Sequence, residues 1–390
     1  MNDFVTKYIQ GDKVIWGVVL FLSTISILAV YSSIGDLAFR YADGNTMVYL
    51  KRHLLFIFAG FLTMYFIHRV PYSLFFTASQ LIIVVAGLLL IFTLFLGVSK
   101  NDATRWLLIP GTGLAFQTSD LAKFGLIVYI ARTLSLNQSS QEAIDASFKK
   151  IMIVTGLICL LILPSNFSTA VLLFGAALVL MYIGRMSLKI IAKALGILFI
   201  ALLLFIAVSS YVPGLGRVGT WKNRIVNFIN EDESGISQPN LAKTAIATSG
   251  LIGKGPGNSE VKYMLPQAYS DFIFAIIVEE WGSLAAIAII FAYLVLLYRV
   301  GLIIKRTSRT FAAFLAAGIV ILLVFQAFMN MMVAVGIGPV TGQPLPLVSM
   351  GGTSLLITFA SLGVVLSISK TLKEDQGKIQ EETEEITVIT

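Results

Sequence analysis

The stretch Lys262-Tyr-Met-Leu-Pro-Gln-Ala-Tyr-Ser-Asp271-Phe-Ile-Phe-Ala-Ile-Ile-Val-Glu279-Glu280-Trp-Gly282 decides how the chain is read. It begins as a polar loop with a proline and turns into an apolar helix at Asp271. Ser270 and Asp271 sit where helix starts favour small polar or acidic side chains. The apolar run that follows is long enough to cross a bilayer, and Glu279 and Glu280 lie inside it. Carboxylates in a membrane span are costly and usually line a cavity. By position alone, two readings of Asp271 stand. Either it complements the helix dipole, or it faces water at the edge of a span.

The rest of the chain supplies the context. Of 390 residues, 57% are hydrophobic and 13% charged, where soluble domains carry about 25% charged residues. With a mean hydropathy of +0.88, the chain reads as a polytopic membrane protein and not as a soluble fold. The net charge of +7 does not imply nucleic acid, because membrane proteins concentrate Lys and Arg in cytoplasmic loops. The single cysteine, Cys159, lies mid-span and allows no intrachain disulfide. No cleavable signal peptide is expected, since the first apolar run is long and no small-residue cleavage site follows it.

Ten apolar runs follow a polar lead at 1–12: roughly 14–34, 54–67, 72–97, 117–136, 150–164, 167–184, 190–211, 271–299, 310–335 and 352–370. The expected fold is therefore an all-α polytopic membrane protein. It has ten transmembrane helices in one domain, 1–370, with a large extracytoplasmic loop between helices 7 and 8, about 212–270. An even count puts both termini on one side. With the N-terminus inside, the inside loops hold sixteen Lys and Arg, and the short outside loops hold five: Arg40, Lys51, Arg52, Lys100 and Arg105. Both termini are thus expected in the cytoplasm, and the end bearing Asp271 outside. Residues 371–390, with Glu381, Glu382, Glu384 and Glu385, read as a disordered or loosely amphipathic cytoplasmic tail. No internal repeat is evident, which speaks against transporters built on inverted repeats.

Three further constellations carry chemistry. Between the third and fourth runs stand Arg105 and Trp106, then Gln117-Thr-Ser-Asp120-Leu-Ala-Lys123. Arg105 and Trp106 suit an interfacial anchor. Asp120 and Lys123 share a helix face, and a lysine one turn inside a membrane helix needs a partner or a watery cavity. The second is the glycine-rich Gly250-Leu-Ile-Gly253-Lys254-Gly255-Pro-Gly257-Asn258-Ser259. No strand precedes it and its Gly-Lys order does not fit a P-loop, so it reads as a re-entrant or surface segment. The third is the uncharged connection that starts at Asn330 and runs through Gly336-Ile-Gly-Pro339-Val-Thr-Gly342-Gln-Pro344-Leu-Pro346-Leu-Val-Ser349-Met-Gly351-Gly352-Thr-Ser354. It is either a rigid cavity lining or a tight connection. With two histidines, His53 and His68, a histidine metal site is not expected, and neither Gly-x-Ser-x-Gly nor His-Glu-x-x-His occurs.

Taken together these motifs resemble the SEDS family (shape, elongation, division and sporulation), whose members include FtsW and RodA. The likeness spans nearly the whole chain. Its sharpest part, Leu265 to Gly282, is similar to the family's LPEAxxDFIFAxxxEExG. Pro339 to Ser354 is similar to PVTGxPLPFxSYGGSS, while Arg105-Trp106 and Gln117 to Lys123 resemble ARRWI and QPSExxK. Gly257-Asn258-Ser259 leans to the FtsW branch. The chain departs where Thr118 and Asp120 replace Pro and Glu, and where Pro164-Ser165-Asn166-Phe-Ser-Thr169-Ala replaces a QPDLGTA-like motif and loses its acid.

The resemblance implies a peptidoglycan glycosyltransferase that polymerises lipid II, an undecaprenyl-pyrophosphate-linked disaccharide peptide, outside the bacterial cytoplasmic membrane. Such an inverting transfer needs one base near the acceptor hydroxyl and positive charge near the departing pyrophosphate. The match assigns the base to Asp271. Lys123, Arg105 and Arg224 are candidates to contact pyrophosphate, with Asp120 holding Lys123. Trp106 and Ser349 are further substrate-contact candidates, and Glu279 and Glu280 fall to structural roles. No metal ligands are assigned, although a divalent cation, Mg or Mn, bridging the pyrophosphate fits the chemistry. The family also implies a class B penicillin-binding protein as partner, among divisome or elongasome proteins, and no nucleic acid. Two other readings remain open at this point: a lipid II flippase or transporter, and a non-catalytic division scaffold.

Overall fold

The computed structural model describes residues 10–100, 103–108, 111, 115–211, 237–265 and 267–389. Each of the ten apolar runs falls on a helix. In chain order the helices are α1 (Lys13–Ser33), α2 (Gly35–Tyr41), α3 (Thr46–Ile67), α4 (Ser73–Leu96), α5 (Thr118–Leu136), α6 (Gln141–Ile162), α7 (Phe167–Ile183), α8 (Leu188–Tyr211), α9 (Gln238–Ala247), α10 (Ile273–Arg306), α11 (Thr310–Ala334) and α12 (Thr353–Ile389). The short α2 and α9 lie between the apolar runs. Among the described residues, six helices are long and apolar enough to cross a membrane: α1, α3, α4, α10, α11 and α12 over Thr353–Glu374. The helix α5 falls short because it carries Asp120, Lys123 and Arg132, and α7 because it has 17 residues.

Large apolar side chains stay outside along these helices, with Phe58 at 63%, Phe95 at 82% and Phe291 at 65% exposure. Water penalises such a surface, whereas lipid accepts it as long as backbone polar groups are satisfied within helices. The protein is an integral, polytopic, helical membrane protein.

The core centres on α11, which packs against α5, α7 and α10. Small residues on α11 allow the close approach. At Gly318 a Cβ would stand 2.5 Å from Ile127 Cγ2 and 3.0 Å from Leu180 Cδ2. At the chain's start, Asp12 caps α1 by accepting from the Val14 N–H at 2.8 Å, and Arg299 of α10 pairs with the same carboxylate at 2.5 Å.

Four features differ from the sequence expectation. First, the fold is not wholly helical. An antiparallel sheet β1 (Val98–Lys100), β2 (Ala103–Leu108) and β3 (Ala115–Gln117) leads into α5. The segment Ala-Thr-Arg-Trp-Leu-Leu supplies the β-branched and aromatic content that favours a strand over a plain loop. Second, the helix expected at Asp271 begins at Ile273. Ser270 and Asp271 sit in a turn closed on the Gln267 carbonyl at 2.9 and 3.2 Å. Third, α12 runs on past the expected end of the last span at 370, to Ile389, through the stretch expected as a disordered or loosely amphipathic tail; that stretch is rich in Lys, Glu and Gln, which are good helix formers. Fourth, the glycine-rich segment of the expected 212–270 loop, much of it exposed as a surface segment would be (Leu251 70%, Ile252 79%), does more than turn at the surface. It inserts into α10.

That insertion follows from Gly282, whose φ of 77° and ψ of −175° break α10 internally. A break orphans helical N–H and C=O groups, which must find partners when buried. An unbroken helix would pair Ser283 N–H with Glu279 C=O, and Leu284 N–H with Glu280 C=O. Instead Lys254 N–H and Gly255 N–H donate to the Glu279 and Glu280 carbonyls, each at 2.9 Å. In turn Ser283 and Leu284 N–H donate to Gly250 and Leu251 carbonyls at 3.1 and 3.3 Å. The loop thus takes over both missing rungs. A Cβ at Gly282 would stand 2.1 Å from the Leu251 carbonyl oxygen, so no other residue fits there.

Candidate active site

Asp271 lies at the end of the bundle where α10 begins and is partly exposed. Its carboxylate accepts from Ser270 Oγ at 3.1 Å, and a Cβ built on Gly342 would be 3.6 Å from its Oδ2. The connection between α11 and α12 holds the backbone around it. Met350 N–H donates to the Tyr269 carbonyl at 3.0 Å, and Ser349 Oγ donates to the Ser270 carbonyl at 2.6 Å. Asn330 Nδ2 donates to the Asp271 carbonyl at 2.8 Å and, also at 2.8 Å, to the Gln343 carbonyl. The uncharged connection is therefore a cradle for the acid's main chain. Ser349, a substrate-contact candidate from sequence, is buried and also accepts from Leu345 N–H at 2.8 Å. Its hydroxyl is engaged in shaping this cradle.

Asp120 and Lys123 form a second centre. Their ion pair is 2.7 Å long and almost wholly buried. Lys123 Nζ also donates to Gln326 Oε1 at 3.2 Å, and Asp120 Oδ2 is buried with no hydrogen-bond partner among the described residues. A cavity of about 50 Å³ opens beside them, with Ser354, Thr358 and Ser361 in its wall. Asp271 does not line this cavity. The two centres are joined through the cradle, because Gln326 Nε2 donates to the Pro344 carbonyl at 3.1 Å.

Arg105 on β2 donates through Nε to the Ser165 carbonyl at 2.8 Å, and with Ser119 and Thr118 it lines a small pocket. Trp106 beside it is partly buried and pairs with Gln117 across the sheet. The sheet thereby ties Arg105 to the first turn of α5 that carries Asp120. Arg224 lies outside the described residues. The segment that departs from the QPDLGTA-like pattern has a local role, since Asn166 caps α7 by accepting from Thr169 N–H at 3.3 Å. Thr169 Oγ1 in turn accepts from Gln343 Nε2 at 2.7 Å.

Glu279 and Glu280 are fully buried. Glu279 accepts from Lys254 Nζ at 2.9 Å, Ser259 Oγ at 2.5 Å and Glu260 N–H at 3.3 Å. Glu280 accepts from Ser32 Oγ. Both clamp the inserted loop or α1 to α10. The hydrogen bond to Glu279 raises the Lys254 ammonium above its ordinary value. Burial, followed by the charge of Asp271, raises the Tyr269 phenol. No group of three or more His, Cys, Asp or Glu that could hold a metal occurs among the described residues.

Gln326 escaped the sequence reading, and Asn330 and Gln343 entered it only as members of the uncharged connection. Gln326 and Asn330 stand four apart in an apolar run, which places both amides on one helix face. Polar pairs inside a span are the signal that would have found them.

Fold and site define a class: a polytopic membrane protein with an acid cradled at the mouth of a broken, loop-clamped helix, and an acid–lysine pair buried in the adjoining bundle. Comparison makes the class specific. The chain belongs to the FtsW, RodA and SpoVE family of cell cycle proteins, whose family model matches residues 12–374. It is 31% identical over 371 residues to the probable peptidoglycan glycosyltransferase FtsW of Trichlorobacter lovleyi, covering 93% of this chain and 94% of the relative. It is 30% identical over 374 residues to stage V sporulation protein E of Bacillus subtilis, covering 94% and 98%. The same fold occurs in a peptidoglycan synthase complex that couples polymerization and crosslinking, with a TM-score of 0.71, 24% identity and coverage of 93% and 98%. It occurs also in the rod shape determining protein RodA of Thermus thermophilus, with a TM-score of 0.65, 23% identity and coverage of 92% and 96%.

Proposed function

We propose that the protein is a peptidoglycan glycosyltransferase that polymerises lipid II into glycan strands at the outer face of the cytoplasmic membrane, in cell division. The observation that carries this is Asp271, a partly exposed carboxylate whose own carbonyl is held by Asn330 and whose two preceding carbonyls are held by Ser349 and Met350. A base must be fixed relative to an incoming hydroxyl, and a cradle that grips the backbone does this without enclosing the carboxylate. The name of the relative in Trichlorobacter lovleyi supports the same activity.

In this reading the ten apolar helices are spans, both termini are cytoplasmic, and Asp271 faces outward. Asp271 takes the proton from the acceptor sugar's hydroxyl as that oxygen attacks the anomeric carbon of the donor and undecaprenyl pyrophosphate leaves. The leaving group is already good, so no second carboxylate is needed as acid. Lys123, Arg105 and Arg224 supply positive charge toward the pyrophosphate. Asp120 holds Lys123 in place, and Trp106 packs at the rim. A divalent cation, Mg or Mn, would arrive bound to the pyrophosphate, because Glu279 and Glu280 are already committed to clamping. A class B penicillin-binding protein is the partner that would crosslink the product.

The test is gel analysis of glycan products from the purified chain and its Asp271→Ala variant, reconstituted with candidate transpeptidases. Strands from the parent and none from the variant support the reading. Full polymerisation by the variant removes Asp271 as base, while lipid II translocation without strands from the parent would make the protein a flippase.

A further inference from the structure

Two buried polar side chains, Ser26 on α1 and His53 on α3, belong to neither centre described above. Serine and threonine hydroxyls inside a helix usually bond back to a carbonyl one turn earlier. On α1, Thr24 does so to Leu20 at 2.9 Å and Ser33 to Ala29 at 2.8 Å. Ser26 instead reaches out of its helix to the Val348 carbonyl at 2.7 Å. Its oxygen also stands 2.8 Å from His53 Nε2. A carbonyl can only accept, so the Ser26 proton goes to Val348. The hydroxyl oxygen then accepts from His53, which assigns the ring its Nε2–H tautomer. The result is a directed chain from imidazole to hydroxyl to backbone carbonyl.

The chain ends on strained backbone. Leu347, next to Val348, has a φ of 64°, in the left-handed region that residues with a Cβ disfavour. Such strain persists only where the surroundings over-determine it. Both neighbours of Leu347 are held: Tyr293 on α10 donates to the Pro346 carbonyl at 2.5 Å, and Ser26 donates to the Val348 carbonyl. Satisfying buried polar groups does not by itself account for two helices reaching separately to the carbonyls on either side of one left-handed leucine. The two residues that follow Val348 are the ones that grip the Asp271 segment, Ser349 through the Ser270 carbonyl and Met350 through the Tyr269 carbonyl. We propose that His53 is a positioning residue for glycosyl transfer: through Ser26 it holds the strained turn at Leu347 in the shape that lets Ser349 and Met350 aim Asp271. This role rests on the reading of Asp271 as base.

The experiment measures lipid II polymerisation and amide hydrogen exchange on the full-length chain in micelles, reconstituted with the candidate transpeptidases. The variants are His53→Leu, Ser26→Ala, their combination, and His53→Gln, whose amide can place an N–H where the imidazole has Nε2–H. His53→Leu and Ser26→Ala are each expected to lower kcat about tenfold with KM within about twofold of the parent. The double variant should be no worse than the worse single one, because both cut the same chain. His53→Gln should recover kcat to within about threefold of the parent. Exchange should quicken over 267–272 and 345–350 in His53→Leu and Ser26→Ala but not in His53→Gln. A kcat that falls only in step with the folded fraction overturns the positioning role, as does unchanged exchange over 267–272 in both variants. His53→Gln no better than His53→Leu overturns the Nε2–H donor. No strands from the parent, with exchange over 267–272 still quickened in the variants, would strike the reading of Asp271 as base and leave the hold on its segment standing. Should His53→Leu fail to fold, Ser26→Ala, which removes a single oxygen, carries the same test.

Discussion

Asp271 and Glu279 stand eight residues apart in one stretch, and the protein treats them in opposite ways. Glu279 is sealed, and its carboxylate is filled by Lys254, Ser259 and the Glu260 amide. Asp271 keeps its carboxylate partly exposed while its surroundings are gripped through main-chain carbonyls. A structural acid is fixed through its oxygens. Asp271 is held through its backbone and its neighbours' backbone, which in the proposed reading leaves its partly exposed carboxylate within reach of a substrate. This contrast separates the two far better than position in the sequence, where both read as carboxylates at a span.

The largest effect expected from breaking the contrast is catalytic. Asp271→Asn should lower polymerisation about 10³-fold, or roughly 4 kcal/mol of transition-state stabilisation. The thermal midpoint in micelles should stay near the parent's, because Ser349, Met350 and Asn330 bond main-chain carbonyls that the substitution leaves in place. A variant that loses activity only in step with its folded fraction would place Asp271 in the same structural category as Glu279.

Next in size is Gly282→Ala. The backbone there lies in a region reserved for glycine, and the added methyl meets the Leu251 carbonyl. We expect a loss of about 3 kcal/mol of stability, read as a lower midpoint and as proteolytic access to residues 250–259. Normal stability in this variant would mean that the loop does not occupy the break.

Glu279→Ala should cost about 2 kcal/mol, since Ser259 and the Glu260 amide lose a buried acceptor. Lys254, its side chain 25% exposed, keeps access to water and to Glu260. Activity per folded molecule should survive better than in Asp271→Asn. If kcat collapses while the midpoint holds, the division between the two acids is wrong.

Much of this was legible in the sequence because it is local. Each apolar run marks a helix, and six helices among the described residues are long and apolar enough to cross a membrane, a property that needs length and hydropathy and little else. Asp271 stood out because a carboxylate at the start of such a run is conspicuous, and Asp120 with Lys123 because three residues put them on one face. What stayed hidden depends on partners far away in the chain. The exchange between residues 250–255 and 279–284 replaces two helical rungs with rungs from a loop, and no window containing Gly282 alone announces that. The cradle is similar. Ser349 read as a possible substrate contact because its bond to the Ser270 carbonyl joins positions 79 apart. The sheet before α5 was hidden by its shortness.

The smallest expected effect concerns pH and asks what holds the loop in the break. Lys254 has a folded-state value above the ordinary lysine value of 10.5, chiefly through its hydrogen bond to Glu279. For a raised cation the stabilisation is fully present below the unfolded value and is lost as pH rises through the folded one. The midpoint difference between the wild type and Lys254→Met should therefore be constant through neutral pH and shrink only in the alkaline range above 10.5. A difference that persists unchanged at more alkaline pH would show that the ammonium contributes nothing ionic. The four backbone hydrogen bonds between Gly250–Gly255 and Glu279–Leu284 would then hold the loop by themselves, and Glu279 would be buried for the sake of Ser259 and the Glu260 amide.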